Sequence, residues 1–598
     1  MSNVPEDGTM LPYRDKSLSI DERVGDLLAR MTLEEKAGTC FHNMITLGPD
    51  GSLSDANPAF NLDSTETAVG EKHMSHFNLI GPIDDPRMTA QWHNLLQERA
   101  LQTRLGIPIT LSTDPRNHFT DNPGTAFNAG SFSQWPETLG LAAIRSPKLV
   151  ENFANVARQE YLAVGLRVAL HPQIDLATEP RWARINATFG EDANLSGELV
   201  EAYIHGFQGS KLGPESVATM TKHFPGGGPQ KDGEDPHFPY GREQVYPGNN
   251  FEYHLKPFKK AIAAGGSQFM PYYGMPVGTE YEEVGFAFNK GVITGLLREK
   301  LGFQGIVCSD WGLVTDASIL GQSMPARAWG CEHLSELERV VKIINAGCDQ
   351  YGGEACPKYV IEAVKNGMIS EARVDESVRR LLKEKFVLGL FDKPFIDVEH
   401  AATTVGKEDF RRAGEDAQRR AYTLLKNEKD ILPLKFKEGT KLYIEGLSAD
   451  LLKARLPTIE LIEAPVQADI AVLRLKAPYD RSRTGGFEQF FHAGALDFST
   501  DEKTRQAKIY NAVPTIVDLY LDRPAVVPEI AEKAAAFLCS YGSSADAFLD
   551  VLLGQAKPEG KLPFDLPSSI EAVKNSREDM PFDTKNPVYR FGDGLSYS

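Results

Sequence analysis

The chain has 598 residues, a net charge of −18, and 41% hydrophobic and 24% charged residues, which is the composition of a soluble globular protein. A chain of this length is too long to fold around a single hydrophobic core, so we expect two or three domains. The negative charge argues against nucleic acid or an anionic membrane as a partner. No run of about 18 apolar residues is present to span a bilayer. The sequence does not define the oligomeric state, and a homo-oligomer is compatible with it.

The N-terminal segment and the cysteines predict a cellular location. Met1 to Arg14 contains neither the basic segment nor the apolar segment of a signal peptide. The six cysteines are widely spaced and lack the CxxC pairing of a zinc site, and the histidines show no HxH or HxxxH pair. We therefore predict a cytoplasmic protein with free thiols, no metal and no other cofactor.

From residue 20 to about residue 395, short apolar runs alternate with longer amphipathic stretches. Helices are predicted at 20–37, 146–164, 198–211, 251–264, 290–301, 335–346 and 373–390. Strands are predicted near Phe77, Ile107–Ser112, Leu166–Leu170, Val217–Thr221, Phe269, Ile306–Cys308 and, more weakly, before Cys348. This alternation favours a parallel sheet, and its length favours a (β/α)8 barrel. A doubly wound open sheet is the alternative, although the GxGxxG turn of its dinucleotide-binding version is absent.

Polar side chains stand where the predicted strands end. They are Asp114, Asp175, Lys222 with His223, Tyr272 with Tyr273, and Asp310. In a barrel, all of these ends meet at the one rim that carries active sites. The sequence therefore predicts a pocket lined with carboxylates, a lysine, a histidine and tyrosines.

The stretch Gly302–Trp311 is the most informative of these ends. Its apolar run Ile306–Cys308 leads directly into Asp310 and Trp311. An aspartate can attack an electrophilic sugar carbon as a nucleophile, and an indole face suits the apolar face of a sugar ring. An aspartate at this place could equally cap the next helix, and this segment alone does not decide.

Two further segments carry polar groups or unusual backbone. Residues 181–192 hold Arg181, Arg184, Glu191 and Asp192, so that one arginine can bind sugar hydroxyls while the other pairs with Glu191 or Asp192. Residues 222–242 form a long loop with three consecutive glycines, which permits close backbone approach.

The pattern changes after residue 395. We predict a barrel domain at 1–395, a linker at 396–425 and a second α/β domain at 426–598. Strands near Lys441, Ile470, Thr515 and Ala536 alternate there with helices, which indicates a three-layer open sheet. One long loop, 477–494, contains aromatic residues together with Glu488 and His492, and long loops inside compact domains tend to be functional.

Several motifs in this order resemble glycoside hydrolase family 3, of the β-glucosidase type. They are Met31–Lys36, Glu179–Arg184, Phe189–Asp192, Lys222–Gly228, Gly302–Trp311, Leu424–Asn427 and Phe591–Tyr597. The resemblance implies a barrel followed by a C-terminal α/β sandwich that contributes to the active site. It also implies a two-domain form without the fibronectin-like third domain of longer relatives.

The resemblance further implies a retaining enzyme that removes a terminal non-reducing β-D-glucosyl residue from a small β-glycoside. Asp310 matches the family's nucleophile. The residues that match its sugar binders are Asp114, Arg181, Lys222, His223 and Tyr273, while Trp311 forms part of the pocket wall.

The second carboxyl group is less well defined by the motifs. In this family the acid/base often comes from the second domain, and Glu488 is the predicted residue because it lies in the long aromatic loop. The N-acetylhexosaminidase branch uses an Asp-x-His pair instead, and Asp235 with His237 occupies the corresponding loop here. An acid/base of that kind would make the chain a β-N-acetylhexosaminidase.

Two further functions are compatible with these motifs. A β-xylosidase differs only in the pocket around C6 of the sugar, which the sequence does not define. An inactive sugar-binding protein on the same fold is the non-enzymatic possibility, since a fold does not fix a function.

Overall fold

The N-terminal part of the molecule is a closed barrel of eight parallel strands, as seen in a computed structural model that describes residues 10–481 and 486–597. Its strands are β1 (Phe41–Ile45), β2 (His76–Leu79), β3 (Thr110–Thr113), β4 (Leu166–Ala169), β5 (Ala218–Phe224), β6 (Gln268–Pro271), β7 (Ile306–Trp311) and β8 (Gln350–Gly352). Each strand pairs in parallel with the next, and β8 pairs with β1. The predicted barrel is confirmed.

The sequence patterns located six of these strands and missed β1, and they placed the weakest strand before Cys348, whereas β8 lies just after it. This strand reads Phe-His-Asn-Met-Ile, and His42 and Asn43 interrupt its apolar run. Both polar side chains are nevertheless buried in the barrel. His42 satisfies its ring through a 2.7 Å contact between its Nε2 and the hydroxyl of Ser112 on β3. Interior polar pairs of this kind hide a strand from hydropathy patterns.

Helices connect the strands on the outside of the barrel. They are α1 (Ile20–Arg30), α2 (Leu33–Thr39), α3 (Pro86–Leu101), α4 (Thr138–Ile144), α5 (Pro147–Ala163), α6 (Ala193–Gln208), α7 (Phe251–Ala263), a π-helical segment (Gly291–Lys300), α8 (Glu336–Ala346), α9 (Pro357–Lys365) and α10 (Glu371–Val387). Local sequence explains their ends: Ser335 and Glu338 form a capping box at the start of α8, and Gly347 closes it in the left-handed conformation with φ 116°.

The C-terminal part contains a six-stranded sheet. Its strands are β9 (Thr423–Asn427), β10 (Lys441–Glu445), β11 (Glu460–Leu461), β12 (Ile470–Lys476), β13 (Thr515–Tyr520) and β14 (Ala536–Ser540), in the spatial order β9-β14-β13-β12-β10-β11. Only the β9–β14 pair is antiparallel. Helices α13 (Ala449–Arg455), α14 (Thr500–Ala512), α15 (Pro528–Lys533), α16 (Ala545–Leu552) and α17 (Ile570–Lys574) accompany it. The predicted α/β second domain is confirmed.

Two helices, α11 (Val398–Thr404) and α12 (Glu408–Ala421), lead from the barrel to the second sheet. Helix α12 contacts α4 of the barrel and α16 of the second domain, so it packs between the two. Strand β9 spans the predicted boundary at residue 426, and the predicted domain limits stay predictions. Within residues 10–481 and 486–597, no helix has the length and apolar character needed to cross a membrane.

Candidate active site

A cavity of about 330 Å³ opens at the carboxyl end of the barrel. Six of the eight residues predicted for the site line it: Asp114, Lys222, His223, Tyr273, Asp310 and Trp311. They come from the ends of β3, β5 and β7 and from the residues that follow β6. The parallel barrel thus brings together side chains that lie far apart in the sequence, as the strand-end pattern indicated.

Asp310 is the buried carboxylate at the end of β7. Its Oδ1 accepts a 2.8 Å hydrogen bond from the backbone N–H of Trp311. Its Oδ2 is buried and has no hydrogen-bond partner among the described residues. The nearest cationic or imidazole nitrogen is Nε2 of His223, 3.8 Å from Oδ2. One oxygen is therefore held in place, while the other is available to a ligand in the cavity.

His223 is oriented by Asp175, which follows β4. Nδ1 of His223 lies 2.7 Å from Oδ2 of Asp175, and the backbone N–H of His223 donates to Oδ1 at 3.2 Å. Burial raises the pKa of Asp175 to about 6 and lowers the pKa of His223 well below its ordinary value. At neutral pH the pair is thus a carboxylate and a neutral imidazole, whose Nδ1 carries the proton. Nε2 then faces Asp310 as an acceptor.

The three glycines after β5 allow the backbone to close around this pair. The N–H of Gly227 donates to Oδ1 of Asp175 at 2.5 Å. A Cβ on Gly227 would lie 2.9 Å from the ring of Tyr272, and one on Gly228 would lie 2.0 Å from the carbonyl oxygen of Leu176. Side chains are therefore excluded at both positions, which explains the close approach that the sequence predicted.

A second carboxylate, Asp114, is fixed on the opposite side of the barrel rim. Lys222 donates from Nζ to its Oδ1 at 3.0 Å, and Asn78 donates from Nδ2 to its Oδ2 at 3.1 Å. Oδ1 of Asn78 is buried without a partner among the described residues. The sequence reasoning missed Asn78, although it is a polar residue inside the predicted strand near Phe77. These three side chains form a polar cluster that suits sugar hydroxyls, which donate and accept.

The predicted sugar binder Arg181 requires a correction, because it does not line the cavity. Its guanidinium donates from Nε and Nη2 to the buried carboxylate of Glu179, at 2.7 and 2.8 Å, and from Nη1 to Asp232 at 3.1 Å. Arg184 lines the cavity instead, and its Nε has no partner among the described residues. One arginine of the motif does reach the cavity, while the other pairs with acids that the sequence did not indicate.

Tyr273 and Trp311 form an adjoining wall. The Tyr273 hydroxyl donates to the carbonyl oxygen of Trp311 at 3.0 Å and accepts from its N–H at 3.1 Å. The indole Nε1 of Trp311 is buried without a partner in the described part of the chain. Arg327 steadies this wall, since it donates to the Trp311 carbonyl at 3.2 Å. The wall thus offers an aromatic face and one unused donor to a ligand.

The second domain reaches the cavity through one loop, of which residues 482–485 lie outside the described residues. Phe487 lines the cavity and packs on Gly124, where a Cβ would lie 2.3 Å from its ring. Glu488, the predicted acid/base, does not line the cavity in this structure. Its carboxylate accepts a hydrogen bond from the hydroxyl of Tyr240.

Of the rival pair, Asp235 and His237, the histidine reaches the cavity. His237 lines it, and its Nδ1 lies 2.6 Å from Oδ1 of Asp235. Burial lowers the pKa of His237. Burial alone would raise the pKa of Asp235, but the neighbouring His237 outweighs it and the net pKa is lowered. The ring of His237 packs 4.8 Å from Tyr273 and 5.0 Å from Phe491, so it forms part of the aromatic boundary of the cavity.

The chemistry of the cavity is that of a carbohydrate-cleaving hydrolase. It offers a carboxylate with an unused oxygen, a polar cluster for hydroxyl groups and an indole face. Across residues 10–481 and 486–597, no group of three or more His, Cys, Asp or Glu is placed to hold a metal ion. The side chains that line the cavity themselves supply carboxylate and hydrogen-bond chemistry.

Family models identify the class more closely. The "Glycosyl hydrolase family 3 N terminal domain" matches residues 57–383, and the "Glycosyl hydrolase family 3 C-terminal domain" matches residues 459–597. The chain belongs to glycoside hydrolase family 3, and it is an enzyme of that family. The resemblance stated from the sequence motifs is confirmed.

Similar proteins carry consistent names. The chain is 60% identical to "Beta-glucosidase C" of Emericella nidulans over 98% of its own length and 94% of the relative's. It is equally similar to "Probable beta-glucosidase C" of Aspergillus flavus, with 98% and 92% coverage. It is 39% identical to a "Periplasmic beta-glucosidase/beta-xylosidase" of Dickeya chrysanthemi, with 99% and 92% coverage.

Solved structures share the fold. A β-glucosidase from Listeria innocua, in complex with isofagomine, superposes with a TM-score of 0.75 at 23% identity, covering 96% of this chain and 83% of that one. An exo-1,3/1,4-β-glucanase from a Pseudoalteromonas species superposes with a TM-score of 0.76 at 21% identity, covering 98% and 96%. The arrangement of a barrel followed by an α/β domain is thus common to these proteins.

Proposed function

We propose that this chain is a retaining, exo-acting β-glucosidase that releases a terminal non-reducing β-D-glucosyl residue through a covalent intermediate on Asp310. The observation that carries this proposal is the state of the Asp310 carboxylate. Its Oδ1 is held by the N–H of Trp311, while its Oδ2 is unpartnered in a cavity with sugar-binding chemistry. The names of relatives at 60% identity support glucose as the released sugar.

In the first step, Oδ2 of Asp310 attacks the anomeric carbon and forms an ester bond, while the bond to the leaving-group oxygen breaks. An acid gives its proton to that oxygen, so the aglycone departs as a neutral alcohol. In the second step, the same group, now a base, takes a proton from water, and the water oxygen replaces Asp310 at the anomeric carbon. Two inversions give net retention of configuration.

The cluster around Asp114 would hold the hydroxyl groups of the departing glucosyl unit. Asp114 accepts hydrogen bonds and Lys222 donates them, while Asn78 offers its unpartnered Oδ1 as a further acceptor. All three side chains are at least nine-tenths buried, so their hydrogen bonds to a sugar would be little weakened by water. A buried cluster of this kind suits the hydroxyl groups of a terminal sugar, which supports exo-cleavage.

We keep Glu488 as the proposed acid/base. It belongs to the loop that places Phe487 in the cavity wall, and a carboxyl group is the acid that retaining glycosidases ordinarily use. Its carboxylate has to leave the Tyr240 hydroxyl to reach the bond that is cleaved. Movement of this one side chain would complete the pair of carboxyl groups, which in retaining enzymes lie about 5–5.5 Å apart.

His237 is the rival acid/base, because it lines the cavity that Glu488 does not. Its lowered pKa leaves it unprotonated at neutral pH, which is unfavourable for a general acid. If His237 served this role, a β-N-acetylhexosaminidase activity would gain support. A β-xylosidase is the second candidate activity, and the name of the Dickeya relative favours it.

One experiment separates these activities. Turnover of the 4-nitrophenyl β-glucoside, β-xyloside and β-N-acetylglucosaminide is measured for the wild type, Glu488→Ala and His237→Ala, with and without azide. We expect the glucoside to be the best substrate, and Glu488→Ala to form a β-glucosyl azide with rescue of activity. Unimpaired Glu488→Ala with loss of activity in His237→Ala would move the acid/base role to the histidine. A preference for the glucosaminide would overturn the glucosidase proposal.

We also propose a cytoplasmic location. All six cysteines are free and buried, which is the usual state in a reducing compartment. Fractionation of the native cells would show the activity with cytoplasmic markers, whereas activity in the medium or in a periplasmic fraction would contradict this. The oligomeric state stays a prediction, to be measured by light scattering.

A further inference from the structure

A second cavity, of about 460 Å³, lies between the barrel and the second domain. The barrel contributes the loop after β3, including Phe119 and Glu137, and the second domain contributes Phe490, His492 and Asp522. We call it the interdomain cavity. Asn122 ties its two sides together, since its Nδ2 donates to the carbonyl oxygen of Phe490 at 2.9 Å.

Two buried polar groups of the interdomain cavity have unused hydrogen-bonding capacity. Asp522 accepts from His492 through Oδ2, at 2.7 Å, but its Oδ1 is buried without a partner among the described residues. Arg184 also lines this cavity, and its Nε is unpartnered in the same part of the chain. Both residues are more than nine-tenths buried. Buried acceptors and donors are seldom left unsatisfied, so their presence in a cavity indicates a polar occupant.

The charges of this cavity are balanced. Lys222 is paired with Asp114, and Arg474 is paired with Asp518 at 3.0 Å. Burial raises the pKa of Glu137 to about 7, so this carboxyl is only partly charged at neutral pH. Neither an anion nor a cation is favoured by such a lining, whereas a neutral ligand with many hydroxyl groups would satisfy donors and acceptors together.

Aromatic surfaces complete the lining. His492 stacks on Tyr479 with a 4.0 Å separation of ring centroids and 9° between the planes, while Phe119, Phe490 and Tyr520 line the cavity directly. Apolar walls with a few fixed polar groups are typical of small-molecule sites, and the combination of carboxylate and aromatic ring suits a pyranose.

We propose that the interdomain cavity is a second carbohydrate-binding site, which takes a neutral monosaccharide such as glucose through Asp522 and Arg184. It is separate from the position of the cleaved bond, because Asp310 lines only the catalytic cavity. Arg184 and Lys222 line both cavities. A sugar in the interdomain cavity therefore contacts the same two cations that face the glycone, and its occupancy changes the affinity of the catalytic cavity.

The test measures glucose binding by calorimetry before and after the catalytic cavity is blocked with a 2-fluoroglucoside that traps Asp310. We expect two glucose molecules per chain in the unlabelled enzyme and one in the labelled enzyme. In the labelled enzyme, Asp522→Asn weakens the remaining site about tenfold, because a hydrogen bond to a charged acceptor becomes neutral. Ala187→Phe, which fills the interdomain cavity from a half-buried position, abolishes it.

The matched control is Ala449→Phe, the same substitution at an exposed position of α13 that lines neither cavity. It retains the second site. The proposal is overturned if the labelled wild type binds no glucose at concentrations that saturate the unlabelled enzyme. It is also overturned if labelled Ala187→Phe still binds glucose. If the reagent fails to label Asp310, the proposed nucleophile is wrong; the second site is then decided by whether the unlabelled Ala187→Phe binds one glucose fewer than the wild type.

Discussion

The barrel and the second domain contribute to the catalytic cavity in different ways. The barrel supplies Asp310, Lys222 and His223 from within strands, and Asp114 directly after one. All four are buried, and the register of the sheet fixes them: Lys222, for example, pairs with Met270 on the next strand. The second domain supplies a loop whose only residue in the lining is Phe487, among those that the structure describes.

This difference separates two tasks of a retaining glycosidase. The nucleophile and the sugar-binding cluster are built into one rigid sheet, where their mutual positions do not depend on the second domain. The proposed acid/base depends on how a loop docks against the barrel, through Asn122, Gly124 and Gln322. Substitutions in the barrel should therefore act on the covalent chemistry, and substitutions in the loop should act on the leaving group and the closure of the cavity.

The largest effect is expected for Asp310→Ala, which removes the proposed nucleophile. Activity on the β-glucoside should fall by roughly 10⁴-fold or more. Added azide should restore turnover by direct attack and give an α-glucosyl azide, opposite to the β product expected from Glu488→Ala. An unchanged thermal transition by circular dichroism serves as the control. A β-glucosyl azide from this variant would show that another residue forms the covalent intermediate.

Asp175→Asn should have the next largest effect, because the amide cannot hold the Nδ1 proton of His223 in the same way. We expect a loss of roughly 100-fold in kcat/KM. In the wild type, activity should decline below about pH 6 as Asp175 takes up a proton. The variant should lack this acidic limb. A limb near pH 6 that persists in the variant would assign the titration to another group.

The acidic decline is distinguishable from unfolding. The pKa of Asp175 is raised by burial from 3.8 to about 6 in the folded state, so the folded protein takes up this proton more readily than the unfolded chain. Lowering the pH from 6 towards 3.8 therefore favours folding through this group. Melting temperatures of the wild type and of Asp175→Asn should be measured across the same pH range. Any loss of stability that the wild type shows on acidification should also appear in the variant, because protonation of Asp175 does not destabilise the fold.

Strand-end chemistry made most of the barrel site predictable. A polar residue that follows an apolar run is visible in the sequence, and parallel strands bring such ends together without any further information. Asp114, Lys222, His223 and Asp310 were found in this way. Strand β1 was not, because the burial of His42 depends on Ser112, which is a contact between strands.

The contributions of the loops were harder to predict. Arg181 and Arg184 lie in one motif, and the sequence does not distinguish their roles. The structure shows that Arg181 pairs with the buried Glu179, while Arg184 lines the cavity. Glu488 was predicted because it is the acidic residue in a loop of suitable composition. Its carboxylate is oriented by the hydroxyl of Tyr240, which lies 248 positions away in the sequence. Loop conformation is set by tertiary contacts that leave no periodic signal in the sequence.

This contrast between the two arginines is directly testable. Arg184→Ala should lower kcat/KM for the glucoside by roughly 10- to 100-fold, the effect of a hydrogen bond to a charged group. Arg181→Ala should leave kcat/KM within a few-fold of the wild type. It should instead destabilise the protein by about 3 kcal/mol, because it leaves the buried carboxylate of Glu179 unpaired. Chemical denaturation and steady-state kinetics on both variants check this, and a larger kinetic defect in Arg181→Ala would reverse the assignment.

The smallest effect is expected where the second domain closes the cavity without contributing polar chemistry. Phe487→Ala removes a ring that packs on Gly124 and lines the catalytic cavity. Because the sugar-binding cluster stays intact, kcat/KM should fall only about threefold to tenfold, through weaker packing and easier entry of water. Phe490→Ala is the matched control, since Phe490 lines the interdomain cavity and not the catalytic one. Equal kinetic effects of the two substitutions would show that the loop docks against the barrel as one unit. Closure of the catalytic cavity would then depend on the whole interface between the loop and the barrel rather than on Phe487.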